Sequence, residues 1–426
     1  MILQERQGKG IFYGTWIVAG CFVLLFLYAG AGFYSFSIFI KPLEEHFGWS
    51  RTEISFTMSI YMILHGLLGP LIGHITETYG ARKVMTVFAV ASGASFILVS
   101  FTPALWYFYM SYAVLSATTA GIGFIPVSSL LARWFVRRRG TAIGMAMVGI
   151  AVGGLVMAPL VGLITSYFSW RISFIFLGLL TWAVSLPVAL FVIKSSPAEL
   201  GLRPDGDEPA SAEALDFSPG AAEASMDAQE NGWPFRAALR TRAFYWIAAT
   251  FFLAPLAQMG ILQHQVPLII EAGISQAAAA TALGLTAGFG GLGKLSFGRI
   301  TEMLPFHYAA MLCFGLQAVG VLILLTAQNM AMIWVYVAVF GFAMGGVVVL
   351  VPLVVGHFFG LAAFGVLIGV VSLVEALGCS GGALISGLIY DRLGSYHYAL
   401  IIYIGIYLTA ILTIFLAGKP KPYPNV

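Results

Sequence analysis

Charge is what this chain lacks. Lys, Arg, Asp and Glu make up 9% of its 426 residues, 21 bases and 18 acids, where an ordinary soluble domain carries about 25%. So few charges cannot keep a soluble protein of this length dispersed, and a nucleic-acid binder needs a basic face that is missing here. Disorder is excluded as well, because 60% of the residues are apolar. Cysteine is scarce too. Cys21, Cys313 and Cys379 lie far apart in apolar stretches, which provides neither a disulfide framework nor metal-ligand spacing. The sequence contains no phosphate-binding loop, metal cluster or catalytic triad, so it predicts neither ATP hydrolysis nor an enzyme and requires no cofactor.

What is there instead is long apolar runs. A bilayer core takes about 20 apolar residues per helix. Runs that meet this lie near 11–38, 54–76, 84–102, 104–132, 141–166 and 170–193, then near 243–268, 277–301, 307–327, 330–358, 363–390 and 396–417. The prediction is an all-α membrane protein with twelve transmembrane helices, six before and six after a polar gap. Its solvent is membrane lipid. The first run is too long for the core of a cleaved signal peptide and reads as an uncleaved span.

Lys and Arg orient the spans. With the N-terminus inside, the inner segments hold Arg6, Lys9, Arg82, Lys83, Arg133, Arg137, Arg138, Arg139, Lys194, Arg203, Arg236, Arg240, Arg242, Arg299, Lys419 and Lys421. The outer segments hold only Lys41, Arg51, Arg171 and Arg392. Both termini are therefore expected in the cytoplasm, with the chain in the cell (inner) membrane. The gap at 194–242 carries half of the acids and few large apolar residues. It reads as a flexible cytoplasmic linker between an N-terminal half, 1–193, and a C-terminal half, 243–426.

The halves are repeats. GHITE at 73–77 returns as GRITE at 298–302, GTAIG at 140–144 as GVLIG at 365–369, and Gly162-Leu163-Ile164 as Gly387-Leu388-Ile389, all at an offset of 225. Two pseudo-symmetric six-helix halves in parallel orientation are an architecture of secondary transporters. The 49 glycines suit helices that approach closely and slide.

The segment Gly73-His74-Ile75-Thr76-Glu77-Thr78-Tyr79-Gly80-Ala81-Arg82-Lys83 resembles the loop motif G-x-x-x-D-[RK]-x-G-x-[RK]-[RK] of the major facilitator superfamily. Glu77 replaces the Asp and Thr78 stands where a base is usual; the copy at Gly298 keeps Glu302. The resemblance implies the major facilitator fold and a gating role for Gly73, Glu77, Gly80, Arg82, Lys83, Gly298 and Glu302, because in the family this loop latches the two halves together. On residues alone, Arg82 and Lys83 need only enforce topology. Within the superfamily, YGTWIVAG, YSFSIFIKPLEEHFGWSRTEIS, RWFVRRRGTAIGMAMVGIAVGG, HQVPLIIEAGIS and YDRLGSYHYAL resemble the monocarboxylate porter and oxalate–formate antiporter branch.

Two charges stand inside spans, where each costs about 2.5–3.5 kcal/mol on insertion scales. Lys294 lies in the eighth span and Glu375 in the eleventh, at depths that differ by about 5 Å. The expectation is that Lys294 attracts a carboxylate and Glu375 carries a proton, the two within reach of each other. The competing readings are a Lys294 that snorkels to the interface and a purely structural pair. GGLGKLSFG at 290–298 resembles an antiporter segment with a cavity Arg, and IGVVSLVEA at 368–376 one with a cavity Lys. Two positive charges in the family thus become one of each sign, which disfavours a dianion and favours a monoanion moving with a proton.

Helical position supplies the remaining candidates. His65 shares a face with Gly69 and Gly73, one turn from the repeat partner of Lys294, which suggests a proton-coupling group at the interface between halves. The alternative is a histidine bonded within its bundle. His264 and Gln263, near the outer end of the seventh span, are candidates for gating or substrate contact, with an interfacial polar cap as the alternative, and Tyr28 and Tyr34 in the first are candidates to line the cavity and bond a carboxylate. Pro126, Pro159, Pro255 and Pro352 interrupt spans and predict kinks. The expected function is transport of a small organic monocarboxylate (lactate- or pyruvate-like), coupled to a proton, by alternating access. An exporter of hydrophobic compounds, an anion exchanger or a non-transporting membrane receptor are the alternatives.

Overall fold

The computed structural model describes residues 12–135, 139–206, 233–360 and 363–418. The core of the predicted linker, 207–232, and the bases Arg6, Lys9, Arg137, Arg138, Lys419 and Lys421 lie outside the described residues. The chain forms α1 (Gly14–Phe47), α2 (Arg51–Tyr79), α3 (Ala81–Ser100), α4 (Leu105–Trp134), α5 (Arg139–Tyr167) and α6 (Trp170–Val192). The second half forms α7 (Arg242–Glu271), α8 (Gln276–Met303), α9 (Phe306–Leu325), α10 (Met330–Phe359), α11 (Phe364–Leu393) and α12 (His397–Leu416). Eleven of these are long and apolar enough to cross a membrane on composition alone. The other is α8, whose Ala- and Gly-rich sequence is less hydropathic but just as long. Trp16, Leu67, Val87, Phe191, Leu295 and Phe415 are more than half exposed. Large apolar side chains pointing outward over the whole bundle mark the surface as lipid-facing.

The repeat extends to the helix ends. Adding 225 to Ala81–Ser100 and Leu105–Trp134 gives Phe306–Leu325 and Met330–Phe359, the observed bounds of α9 and α10. The punctuation repeats as well. Ser50 caps α2 by accepting from the Glu53 N–H, with the Glu53 carboxylate accepting in return from the Ser50 N–H, and Ser275 caps α8 at the same offset. Gly48 and Gly273 close the preceding helices at φ 69° and 84°, a conformation open mainly to glycine. Packing follows the same plan in both halves: α1 on α5, α2 on α4 and α3 on α6 correspond to α7 on α11, α8 on α10 and α9 on α12.

The halves meet along two edges, α2 against α11 and α5 against α8. Going from the Arg51 end, α2 touches α11 at Arg51 and Gly387, at Ser59 and Ser380, and last at Gly66 and Ala376. On the other edge, Gly162 abuts Ala280, Gly154 abuts Ala287, and Gly291 lies against Ala151. Towards the linker face the contacts stop. A Cβ at Gly144, Gly298 or Gly369 would meet nothing within 4 Å, and one at Gly73 would meet only Ile125 of its own half. The two halves are thus shut on the Arg51 face and parted on the linker face.

Three of the four prolines predicted to kink spans leave their helices unbroken. Pro159, Pro255 and Pro352 stand inside continuous helices. Pro126 does not. The chain breaks α4 at a turn through Gly121–Gly123, and Pro126 lies in the first turn of the segment that restarts at Phe124, where its missing N–H has no partner to lose. No proline marks the main distortion of α1. Tyr28–Tyr34 winds as a π-helix, and Ser35 Oγ donates to the freed Gly30 carbonyl at 2.7 Å.

Candidate functional site

The widened turn of α1 projects Tyr28, Ala29, Phe33 and Tyr34 onto a cavity of about 200 Å³ between the halves. Wide π turns of this kind occur frequently at functional sites. Across the cavity, α7 contributes Gln258, Met259 and Leu262, and α8 contributes Ala287, Gly290 and Lys294. These positions repeat at three- and four-residue steps, so each helix shows the cavity a single face. α5 and α10 complete the wall with Met147, Ile150, Met344, Gly345 and Val348. Lys294 brings the cavity its positive charge, with three polar side chains, Tyr28, Tyr34 and Gln258, on an apolar lining. The Tyr28 hydroxyl lies 2.9 Å from His65 Nε2, and the Tyr61 ring stacks on the same imidazole at 5.9 Å between centroids. His65 therefore reaches the cavity through a phenol.

Several candidates stand elsewhere. Glu375 does not line the cavity, and among the described residues neither it nor Lys294 forms an ion pair. Their helices explain this. α8 lies on the α5 edge of the interface and α11 on the α2 edge, so residues at similar depth sit at opposite sides. The face of α2 carrying Gly69 and Gly73 packs on Ile125 of α4, and it is Gly66 that meets Ala376 of the other half. His65 thus bonds within its own half rather than across the interface. Gln263 is 2% exposed and lines no part of the cavity. It and His264 lie five and six residues beyond Gln258, about 140° and 240° around the helix, so they turn away from the face that Gln258 and Leu262 share.

His264 belongs to a different structure, the closure on the Arg51 face. Arg51 starts α2 and its side chain is fully buried. Its guanidinium bonds Glu44 of its own half at 3.0 Å and Glu271 of the other half at 2.7 Å. It also donates to the Tyr396 hydroxyl at 2.7 Å and lies 3.6 Å over the Tyr390 ring. The backbone N–H groups of Arg51 and Thr52 donate to the two oxygens of Asp391, at 3.0 and 2.7 Å, a carboxylate set on the positive end of a helix. Burial raises the pKa of the Tyr396 phenol, so the hydroxyl keeps its proton. Since it accepts from Arg51, it donates to His264 Nδ1 at 2.8 Å. His264 Nε2–H then donates to the Ala383 carbonyl at 2.9 Å, with Ser55 Oγ also at 2.9 Å. The network places the His264 proton on Nε2 and leaves the ring neutral. Of this assembly only His264 was legible as a candidate in the sequence. The available signal was a base directly after a helix cap, at Ser50-Arg51, and the lone acid Asp391 beside Tyr390 at the end of a span.

The loop motif lies on the opposite, parted face. Gly80 ends α2 at φ 84°, Arg82 donates to the Leu190 carbonyl at 2.6 Å, and Glu77 and Lys83 are exposed. Arg82 thus ties the loop to α6 of its own half. The side chain of Glu302 lies outside the described residues.

Two repeated six-helix halves, clasping a largely apolar cavity that holds one cation and is closed at one end, define a multi-pass membrane transporter. The chain belongs to the Major Facilitator Superfamily, whose family model matches residues 21–383. Monocarboxylate transporter 12 of Mus musculus is 24% identical over 406 residues, covering 92% of this chain and 82% of that protein. Monocarboxylate transporter 1 of Bos taurus is 30% identical over 202 residues, covering 47% of this chain and 38% of that protein. A crystal structure of a mutant of the nucleoside transporter NupG matches with a TM-score of 0.74 at 11% identity, over 95% of this chain and 100% of that one, which shows the fold. The chain is accordingly a monocarboxylate transporter-like member of the superfamily, and not an enzyme.

Proposed function

We propose that the protein moves a small organic monocarboxylate together with a proton across the cell membrane by alternating access, with its termini and linker in the cytoplasm. The observation that carries this reading is Lys294, a cation held in a cavity whose other polar groups are two phenols and an amide. An ammonium group and hydroxyl donors suit one carboxylate, and a cavity of about 200 Å³ suits a small one. Lys294 binds the anion, with Tyr28 and Tyr34 as hydrogen-bonding walls. Glu375, on the α2–α11 edge and without an ion pair among the described residues, carries the proton, and His65 meets the cavity through Tyr28. In this orientation the closed Arg51 face is external, and the conformation faces inward. Glu77 and its loop latch the halves in the opposite conformation.

Uptake into proteoliposomes tests the reading. Lactate uptake rises when the external side is made acid, Lys294→Gln abolishes it, and Glu375→Gln transports without responding to the gradient. Lactate uptake by the wild type that ignores the pH gradient overturns proton coupling. Gradient-independent uptake stimulated by internal lactate makes the protein an anion exchanger. Transport of neutral hydrophobic compounds that survives Lys294→Gln makes it an exporter.

A further inference from the structure

Gln258 is the one cavity side chain whose polarity the transport reading leaves unused. It is 6% exposed, it lines the same cavity as Lys294 and Tyr34, and its amide oxygen has no hydrogen-bond partner. Buried amides are nearly always satisfied, because an orphaned polar atom forfeits its hydration with nothing in exchange. A Leu or Met of similar size would fill this position on α7 without that cost. Among the described residues, Gln258, Gln263 and Gln265 of α7 each leave one amide atom without a partner, and of these Gln258 is the one on the cavity lining, where an entering molecule can supply the partner.

The cavity limits what that is. Its volume is about 200 Å³, with Lys294 and Gln258 on the same lining. A small acid anchored by its carboxylate at Lys294 carries any further polar atom close to the carboxyl group, within the cavity that Gln258 also lines. Half a turn about its last torsion exchanges the amide oxygen for the amide nitrogen at nearly constant shape. One side chain can then accept from a hydroxyl or donate to a carbonyl. We propose that Gln258 is the specificity-determining residue of the site, reading an oxygen on the carbon next to the carboxyl and so selecting 2-hydroxy and 2-oxo acids over plain short-chain acids. The inference rests on the reading of Lys294 as the carboxylate anchor.

The test compares lactate, pyruvate and propionate uptake in proteoliposomes of the full-length protein and of Gln258→Leu and Gln258→Met. Wild type prefers lactate and pyruvate over propionate by about tenfold to a hundredfold, the range set by leaving one buried polar group unpaired. Either variant brings the three rates close together by lowering lactate and pyruvate uptake, with propionate uptake retained as the internal proof of folding. A wild type that moves propionate as readily as lactate overturns the inference and leaves the carboxylate reading standing. So does a folded variant that keeps the wild-type preference, and so does a loss of all three substrates in equal proportion by both variants. A wild type that moves none of the three acids overturns the carboxylate reading and this inference with it.

Discussion

Replacing Glu271 by Gln tests whether the ion pair across the halves holds the Arg51 face shut. Arg51 is fully buried, Glu271 is 30% exposed, and their charged groups lie 2.7 Å apart. The pair is thus intermediate between surface ion pairs, worth at most about 1 kcal/mol, and buried ones, where losing a partner costs about 3–5 kcal/mol. The substitution keeps the shape and a hydrogen-bond acceptor, and Glu44 still neutralises Arg51 at 3.0 Å. The closed state then loses about 1–2 kcal/mol relative to the open one, about 5- to 30-fold in their ratio. A cysteine at Ser59 reports the change, because that hydroxyl donates to the Ser380 carbonyl across the closed edge at 2.6 Å. With Cys21, Cys313 and Cys379 replaced, labelling of Ser59→Cys by a membrane-impermeant maleimide added outside accelerates by about 5- to 30-fold in the Glu271→Gln background. Unchanged labelling in a variant that still transports refutes the reasoning, and shows that the closure rests on Asp391, Tyr396 and apolar contact instead.

A methyl group at Gly293 would overlap the Phe342 carbonyl where α8 packs on α10. Gly293→Ala should cost about 1–3 kcal/mol, read as a lower thermal midpoint in detergent, while Gly298→Ala, with open space around it, leaves the midpoint in place. Tyr28→Phe removes the bond to His65 and should cost about 0.5–1.5 kcal/mol. In a double-mutant cycle with His65→Ala, the two losses should fail to add, because each removes the same contact.

The legible part of this protein is what a bilayer and a repeat impose on a chain. Helix number and approximate bounds follow from apolar run length, since unpaired backbone in lipid leaves helices as the spanning structure. The offset of 225 carried through to helix ends, caps and packing partners. Helix faces are less legible. Pattern places His264 and Gln263 near the end of a span but does not say which side of α7 meets the other half. The π-helical turn at Tyr28–Tyr34 has no proline to announce it, yet it sets both phenols on the cavity.

By itself, the amino-acid sequence determined that this is a membrane protein of two repeated helical halves, and singled out Lys294 and Glu375 as charges kept against the cost of lipid. These are properties of composition and spacing along one chain. Only the tertiary structure decided that Lys294 shares a cavity with Tyr28, Tyr34 and Gln258 while Glu375 stands on the opposite edge. It alone made Arg51, read as a mere topology signal, the hub of the closure between halves. The reason is physical. Depth in the membrane can be counted along a helix, but who faces whom depends on how helices far apart in sequence rotate and pack against each other.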